Sequence, residues 1–474
     1  MFRMNGADAF MLSLETPRAY MHTLKIAILD PSGEPEGWSF AHYRAAFLQR
    51  LDVSPVFRWK YLPSPTGLNH PMWVDDPEFN IDHHLKHVAC PAPGDQKALC
   101  ELISSVYADQ LDRSRPLWKC WVVEGLEEGK VAVVTIIHHA YVDGVAASHI
   151  LEQFFRPELG AEPPVPNEAW QPGAYPSWFK RIFLDLRDWP RVMLYYLPKA
   201  ITGIIKKRKL DAAARAAGHP PHPSALMMKK TPINTVLGHG RTFVCDSFPL
   251  ADIKAAGKAF GATINDVFLS CSAGAIRHYL LDQGYQPDEA LIAGTPLSQP
   301  RPDHMAGIGN FATSDYSWLH SEIADPVERL QASHISANQM KRHASASKGA
   351  DIGTIVALLP PRVVKILNWL IRRNAGAKGI LGNVILSNVP GPRVPLYMNH
   401  TRLDNWFSTG QVFDGSSLNM TLWSYCDKAN LCILADKKVL PDGWVLYDYF
   451  MQELQALIEA GQRQAQQTSQ EQVQ

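Results

Sequence analysis

The chain predicts an α/β protein of two domains joined by a long, partly helical linker. Three observations predict it. At 474 residues the chain exceeds what one ordinary hydrophobic core organises. In two separate regions, short β-branched runs alternate with amphipathic stretches of helical period, the pattern of mixed α/β layers. Between those regions a proline-crowded segment gives way to a basic, aromatic one, which suits a connection between domains.

The first domain covers residues 1–156. Leu24 to Leu29 reads as a strand, Phe40 to Leu51 as a helix and Gln96 to Leu111 as another. Trp118 to Val123 and Val131 to Ile137 read as strands of a hairpin around Glu127-Glu128-Gly129, and Val145 to Phe155 as a helix. The linker covers 157–240. Pro157, Pro163, Pro164, Pro166, Pro172 and Pro176 break regular structure at its start. From Trp178 to Lys209 it carries nine Lys/Arg against two Asp, in an amphipathic helix expected to be interrupted at Pro190. Such a stretch suits an anionic membrane or a lipid-droplet surface, and equally a helix covering the domain junction.

The second domain covers 241–461. Leu250 to Phe260 and Asp266 to Gln283 read as helices, and Val384 to Val389 as a strand stopped by Pro390-Gly391-Pro392. Leu418 to Ser424 and Asn430 to Ala435 read as paired strands, with a closing helix over Gly443 to Ala460. The Gln-rich segment 462–474 is expected to be disordered.

Composition narrows the function classes. An apolar content of 46% with 13 Trp indicates a large buried interior. Equal numbers of basic and acidic residues, 46 each, argue against a nucleic-acid binder. Seven cysteines without a C-x-x-C spacing indicate neither a zinc site nor a disulfide framework. With no signal-peptide pattern and no apolar span of the ~20 residues needed to cross a bilayer, the expected location is the cytoplasm, with peripheral attachment at the inner membrane or lipid droplets.

The most informative segment is His138-His139-Ala140-Tyr141-Val142-Asp143-Gly144, directly after the apolar run Val131 to Ile137. Successive strand side chains point to opposite faces, so one imidazole can face a cleft while the other packs behind it. The same divergence argues against a metal held by both histidines and Asp143. Asp143 falls on the turn leaving the strand, where it can fix the loop, and Gly144 offers backbone freedom there. His83-His84 has no Asp-Gly at the same offset and reads as structural. Lys229-Lys230 and Arg241 are conceivable contacts for phosphate groups, although scattered basic residues are usually solvated.

H-H-x-x-x-D-G resembles the signature of the CoA-dependent acyltransferase superfamily, which includes chloramphenicol acetyltransferase and peptide-synthetase condensation domains. Further segments resemble the bacterial wax ester synthase/diacylglycerol acyltransferase family: Asp8-Ala9-Phe10, Glu15, Met21-His22, Leu111 to Trp118 with its P-L-W, Asn265-Asp266, Gly309-Asn310, Ser387 to Pro392 as S-N-V-P-G-P, and Gly415 to Asn419. Tyr20 and Thr23-Leu24 depart from that family's pattern, as does Pro296 to Arg301. The resemblance implies two chloramphenicol-acetyltransferase-like domains with the active-site channel between them. It implies His139 as the general base, with His138, Asp143, Gly144 and Asn265 in support, although Asn265-Asp266 reads equally well as a helix cap. The implied reaction moves a long-chain acyl group from acyl-CoA, a co-substrate rather than a cofactor, to a fatty alcohol or diacylglycerol without an acyl-enzyme. The stretches Ile352 to Leu359 and Val363 to Ile371 either line its tunnel or form core helices. Rival readings are a carrier-protein-dependent condensation-type enzyme and a non-catalytic lipid-droplet surface protein.

Overall fold

In the computed structural model, residues 1–51, 54–161, 170–216, 221–297, 309–310, 313–346, 352–375 and 382–471 are described. In chain order the first region contains β1 (Phe2–Arg3), α1 (Gly6–Leu14), β2 (His22–Asp30), α2 (Phe40–Leu51), β3 (Trp59–Leu62), β4 (Met72–Asp75), β5 (Leu85–Ala89), α3 (Gln96–Tyr107), β6 (Trp118–Glu124), β7 (Val131–His138) and α4 (Gly144–Phe154). After the linker helix α5 (Trp178–Ala216) come β8 (Arg241–Pro249), α6 (Leu250–Lys258), α7 (Ile264–Asp282), β9 (Leu291–Leu297), β10 (Thr313–Leu319), α8 (Pro326–Ala346), α9 (Ile352–Ala357), α10 (Pro361–Ala375), β11 (Val384–Val389), β12 (Leu396–Met398), β13 (Thr401–Thr409), β14 (Leu418–Tyr425), β15 (Lys428–Asp436) and α11 (Trp444–Glu471).

Two mixed six-stranded sheets organise the described residues. One runs β12-β13-β2-β7-β6-β5, the other β10-β9-β11-β14-β15-β8. A small sheet, β1-β4-β3, flanks the first. The β6–β7 hairpin is antiparallel, with Trp118 opposite Ile137, and β2 runs antiparallel to β7, with His22 opposite His138. β7 is unbroken in hydrophobicity because it is central and covered on both faces; Val131, Ala132, Val134 and Ile136 are all buried. Burying one such side chain fully contributes about 1.5–3 kcal/mol, so the run fixes the strand whose end carries the histidines.

The linear division into domains is not the division in space. Strands β12 and β13 come from the second region yet complete the first sheet, β13 pairing with β2 from Thr409–Leu24 to Arg402–Asp30. These two strands had no counterpart in the sequence reading.

Other expectations need correction. Pro190 does not interrupt the linker helix; α5 runs through both Pro190 and Pro198. Tertiary contacts just before Pro190 hold it. Asp185 accepts from Arg3 at 3.0 Å, Ser64 at 2.5 Å and Thr66 at 2.8 Å, and Asp188 accepts from Arg3 at 3.2 Å. The Gln-rich end is helical through Glu471, consistent with the high helix propensity of Gln, Ala and Glu. α10 is not buried as a core helix would be, although Val364 on it is buried. Val363, Ile366, Leu367, Trp369 and Leu370 are exposed, while Asn368 anchors the helix by donating to Ser13 Oγ on α1 at 2.9 Å.

Candidate active site

A cavity of about 330 Å³ lies between the halves, lined by residues of both. The first region supplies Met11, Thr23, Lys25, His139, Asp143 and Gly144. The second supplies Asn310 and Ser314, the end of β11 from Ser387 with the following Pro390, and the polar group Thr409, Asn419 and Thr421. Strand alternation separates the two histidines as the sequence requires. His138 is fully buried, and its Nδ1 accepts from the Ala140 backbone N–H at 3.0 Å. Its Nε2 sits 3.8 Å from Glu15, which forms a buried-side ion pair with Arg113 of the P-L-W segment. Burial, with Arg113 and the neighbouring imidazoles, holds the His138 pKa well below the ordinary histidine value, so this ring is a neutral packing piece.

His139 leaves the end of β7 on the opposite side. Its backbone N–H donates to the Met21 carbonyl at 2.7 Å, fixing the residue to the segment that enters β2, while its half-buried side chain reaches the cavity. Burial pushes its pKa down to about 4, and the Lys25 charge acts in the same direction. Asp143 and the residue's own backbone carbonyl, which accepts from the ring, act to raise it. Imidazole is therefore the neutral, proton-accepting form at physiological pH.

The partner of this ring is Asn310, whose side-chain amide nitrogen lies 2.9 Å from His139 Nδ1. Asn310 is itself buried and held by backbone contacts. Its N–H donates to Asp8 Oδ1 at 2.7 Å, its carbonyl accepts from Asn5 at 3.3 Å, and the preceding Gly309 N–H donates to Tyr141 at 2.6 Å. Burial pushes the Asp8 carboxyl up to about 8. Thus the helix α1 segment Asp8-Ala9-Phe10 and the Gly309-Asn310 pair, far apart in sequence, meet behind the imidazole. Sequence reasoning noted both as motifs and assigned neither to the site; the Gly-Asn pair was the available signal.

Asp143 caps α4, its Oδ1 accepting from Ala146 N–H at 2.9 Å. Gly144 lines the cavity, and its backbone is not in the left-handed region that only glycine adopts freely. A Cβ there would stand 3.5 Å from Val389, an ordinary van der Waals contact. Asn265 is not among the residues lining the cavity. It sits in the first turn of α7, where Thr263 and Asp266 form a reciprocal capping box, so this segment starts a helix. Arg241 is buried against Asp436 and the Gly238 carbonyl, and Lys229 pairs with Glu289, so neither stands free for phosphate. His84 is structural, stacked on Trp118 with its Nδ1 2.8 Å from the Trp118 carbonyl. Trp118 packs among Phe47, Phe57 and His84 in the large buried cluster, and its indole N–H donates to the Phe57 carbonyl at 2.8 Å. Of the Pro296 to Arg301 segment, Pro296 and Leu297 line the cavity, and 298–301 lie outside the described residues.

Lys25 was not anticipated. It lies mid-strand in β2, buried, and its ammonium donates to Ser408 at 2.6 Å on the neighbouring β13. Burial lowers its pKa to about 8 against the raising influence of Asp143.

Comparison with known proteins agrees with this geometry. Residues 4–268 match the wax ester synthase/diacylglycerol acyltransferase catalytic domain, and residues 308–458 match the corresponding C-terminal domain. The chain belongs to the wax ester synthase/diacylglycerol acyltransferase family. It is 44% identical over 470 residues to Mycobacterium tuberculosis Rv3087, a protein named provisionally as a diacylglycerol O-acyltransferase, with 98% of each chain covered. A second relative with the same provisional name, Rv1760, is 31% identical over 98% of this chain and 91% of its own. The solved wax ester synthase/diacylglycerol acyltransferase from Marinobacter aquaeolei VT8 superposes with a TM-score of 0.67 at 26% identity, covering 97% of this chain and all of that one. The starter condensation domain of rhizomide synthetase superposes with a TM-score of 0.59 at 11% identity over 97% of this chain and 94% of that one, a likeness of fold alone. The two-domain chloramphenicol-acetyltransferase-like architecture and the acyltransferase class both stand.

Proposed function

We propose that the chain transfers a long-chain acyl group from acyl-CoA to the hydroxyl of a fatty alcohol or diacylglycerol, with His139 as general base and no covalent acyl-enzyme. The observation that carries this reading is a neutral imidazole at the wall of a cavity shared by the two halves, its Nδ1 occupied by its own carbonyl and Asn310. A proton retained on Nδ1 leaves the Nε2 lone pair for the acceptor hydroxyl. The Asn310 amide, turned with its oxygen to the ring, accepts that same Nδ1 proton. As the hydroxyl oxygen attacks the thioester carbon, Nε2 takes its proton. When the carbon–sulfur bond breaks, the imidazolium returns a proton to the leaving thiolate. Asp143 favours the imidazolium that exists between these two events. General-base assistance of this kind contributes roughly a hundred- to ten-thousand-fold.

The test is purified protein with palmitoyl-CoA and either hexadecanol or dioleoylglycerol, following thiol release and lipid product together. Ester and thiol in equal amounts, lost in His139→Ala, are expected. Thiol without ester would mean hydrolysis, and activity only with an acyl-carrier-protein donor would favour a condensation-type enzyme.

Attachment to a lipid surface belongs to the same reading. Among the described residues no helix is long and apolar enough to cross a membrane. α5, however, exposes Trp178, Phe179, Phe183 and Leu186 beside its basic residues, and α10 exposes Ile366 and Trp369. A helix of this composition binds in the plane of an anionic interface. Co-sedimentation with phosphatidylglycerol vesicles should be lost in the triple variant Trp178→Ser, Phe179→Ser, Phe183→Ser; retention would overturn the assignment of α5.

A further inference from the structure

We propose that His222, Asp315 and His343 form a binding site for one divalent transition-metal ion of the zinc class, separate from the acyl-transfer cavity. The three residues come from different parts of the fold: the segment after α5, strand β10 and the last turn of α8. His222 Nε2 lies 2.7 Å from Asp315 Oδ1 and His343 Nδ1 lies 2.9 Å from Oδ2. One donor atom from each lies within 4.8 Å of the others. A tetrahedral ion with ligands at ~2.0–2.2 Å holds its donors about 3.3 Å apart, so small side-chain rotations close the set around a metal.

Charge and donor type favour a cation. The two imidazoles are stacked with ring centres 3.5 Å apart and planes inclined by 16°. A second carboxylate, Asp211 near the end of α5, stands 3.6 Å from His343 Nε2. A divalent ion balances both carboxylates. Two nitrogen donors with one oxygen favour zinc-like ions over magnesium or calcium, which prefer all-oxygen shells. The side chains of His222, Asp315 and His343 are only 14%, 10% and 6% exposed, so the donors are shielded.

The placement gives the ion a structural task. Ser314, next to Asp315 on β10, lines the acyl-transfer cavity. Adjacent strand residues face opposite sides, so Asp315 grips β10 from behind the cavity wall. Bound metal would staple the exit of the linker to that wall. Sequence spacing hid the site, because 222, 315 and 343 form no local ligand motif.

The test uses tag-free, chelator-stripped full-length protein, dialysed against micromolar Zn²⁺ with millimolar Mg²⁺ and assayed for bound metal. About one zinc per chain is expected, with a zinc-dependent rise in unfolding temperature and a visible ligand-field spectrum when Co²⁺ replaces Zn²⁺. His222→Ala and Asp315→Asn should each weaken zinc binding at least tenfold and abolish the temperature rise, whereas the exposed-site control His42→Ala should change neither. His222 precedes β8 outside any regular element, so its variant decides the matter even if Asp315→Asn fails to fold. Failure of the wild type to retain zinc, or zinc retained equally by His222→Ala, would overturn the proposal. Neither result depends on which acyl acceptor is used.

Discussion

Replacing Asn310 by Ala isolates the group that orients the proposed base. The change removes the side-chain amide 2.9 Å from His139 Nδ1 while keeping the Asn310 backbone bonds to Asp8 and Asn5, so the Gly309-Asn310 segment should stay docked. A neutral hydrogen bond has a net value of about 0.5–1.5 kcal/mol, and about 1.4 kcal/mol corresponds to tenfold in rate. Loss of this bond should therefore lower kcat for ester formation roughly 2- to 12-fold, far less than removal of the imidazole. The assay is initial-rate thiol release from palmitoyl-CoA with hexadecanol, at saturating donor, for wild type, Asn310→Ala, His139→Ala and the double variant. If Asn310 acts through His139, the double variant should be no slower than His139→Ala. An unchanged rate in Asn310→Ala, or full additivity in the double variant, would refute the coupling.

Asp143→Asn keeps an N-cap for α4, since Asn caps as well as Asp, but removes the charge that favours the imidazolium. Its unfolding temperature should match wild type while turnover at pH 7 falls roughly tenfold, about 1.4 kcal/mol; unchanged turnover would remove Asp143 from the chemistry. Burial lowers the pKa of His22 to about 3 and of His70, His84 and His139 to about 4, with His138 lowered as well. Their contribution to stability is complete above the ordinary value of 6.5 and is lost as pH falls toward these folded-state values. Asp8, raised to about 8, runs the other way: its contribution is complete below 3.8 and lost as pH rises through 8, which offsets one of the five. The unfolding temperature should fall between pH 7 and pH 5, and a flat profile would contradict these burials. In the S-N-V-P-G-P turn, a Cβ at Gly391 would overlap the Ser424 carbonyl oxygen and the Trp423 indole nitrogen. Gly391→Ala should cost about 1–3 kcal/mol by overpacking, read from urea unfolding; a change within 0.5 kcal/mol, the usual range for neutral surface sites, would show that this close approach is not kept in solution.

Local signals in the sequence were strong where one force dominated. The apolar period of α2 and the β-branched run of β11 marked those elements at the bounds they adopt. The His138-His139 pair could be resolved into a packing ring and a cavity ring because strand alternation leaves no other arrangement. Non-local effects were not legible. Pro190 reads as a break until Asp185 and Asp188 are seen tied to Arg3, some 180 residues away. Asn310 reads as half of a two-residue motif until α1 folds against it through Asp8. Lys25 reads as one polar residue in a strand until β13 brings Ser408 beside it. In each case the missing information was which distant segment becomes a neighbour.

The pairing of β13 with β2 has a consequence for how the molecule is made. When β2 and β7 have left the ribosome, the edge of β2 that β13 will occupy displays an open row of backbone donors and acceptors. At ~5–20 residues per second, synthesis of the remaining stretch up to Thr409 takes on the order of 10–60 s. During that interval the sheet bearing the proposed base is exposed to wrong partners, including other nascent chains. Expression of the first 240 residues alone would make that vulnerability permanent, because the strand that seals the edge is encoded in the other half.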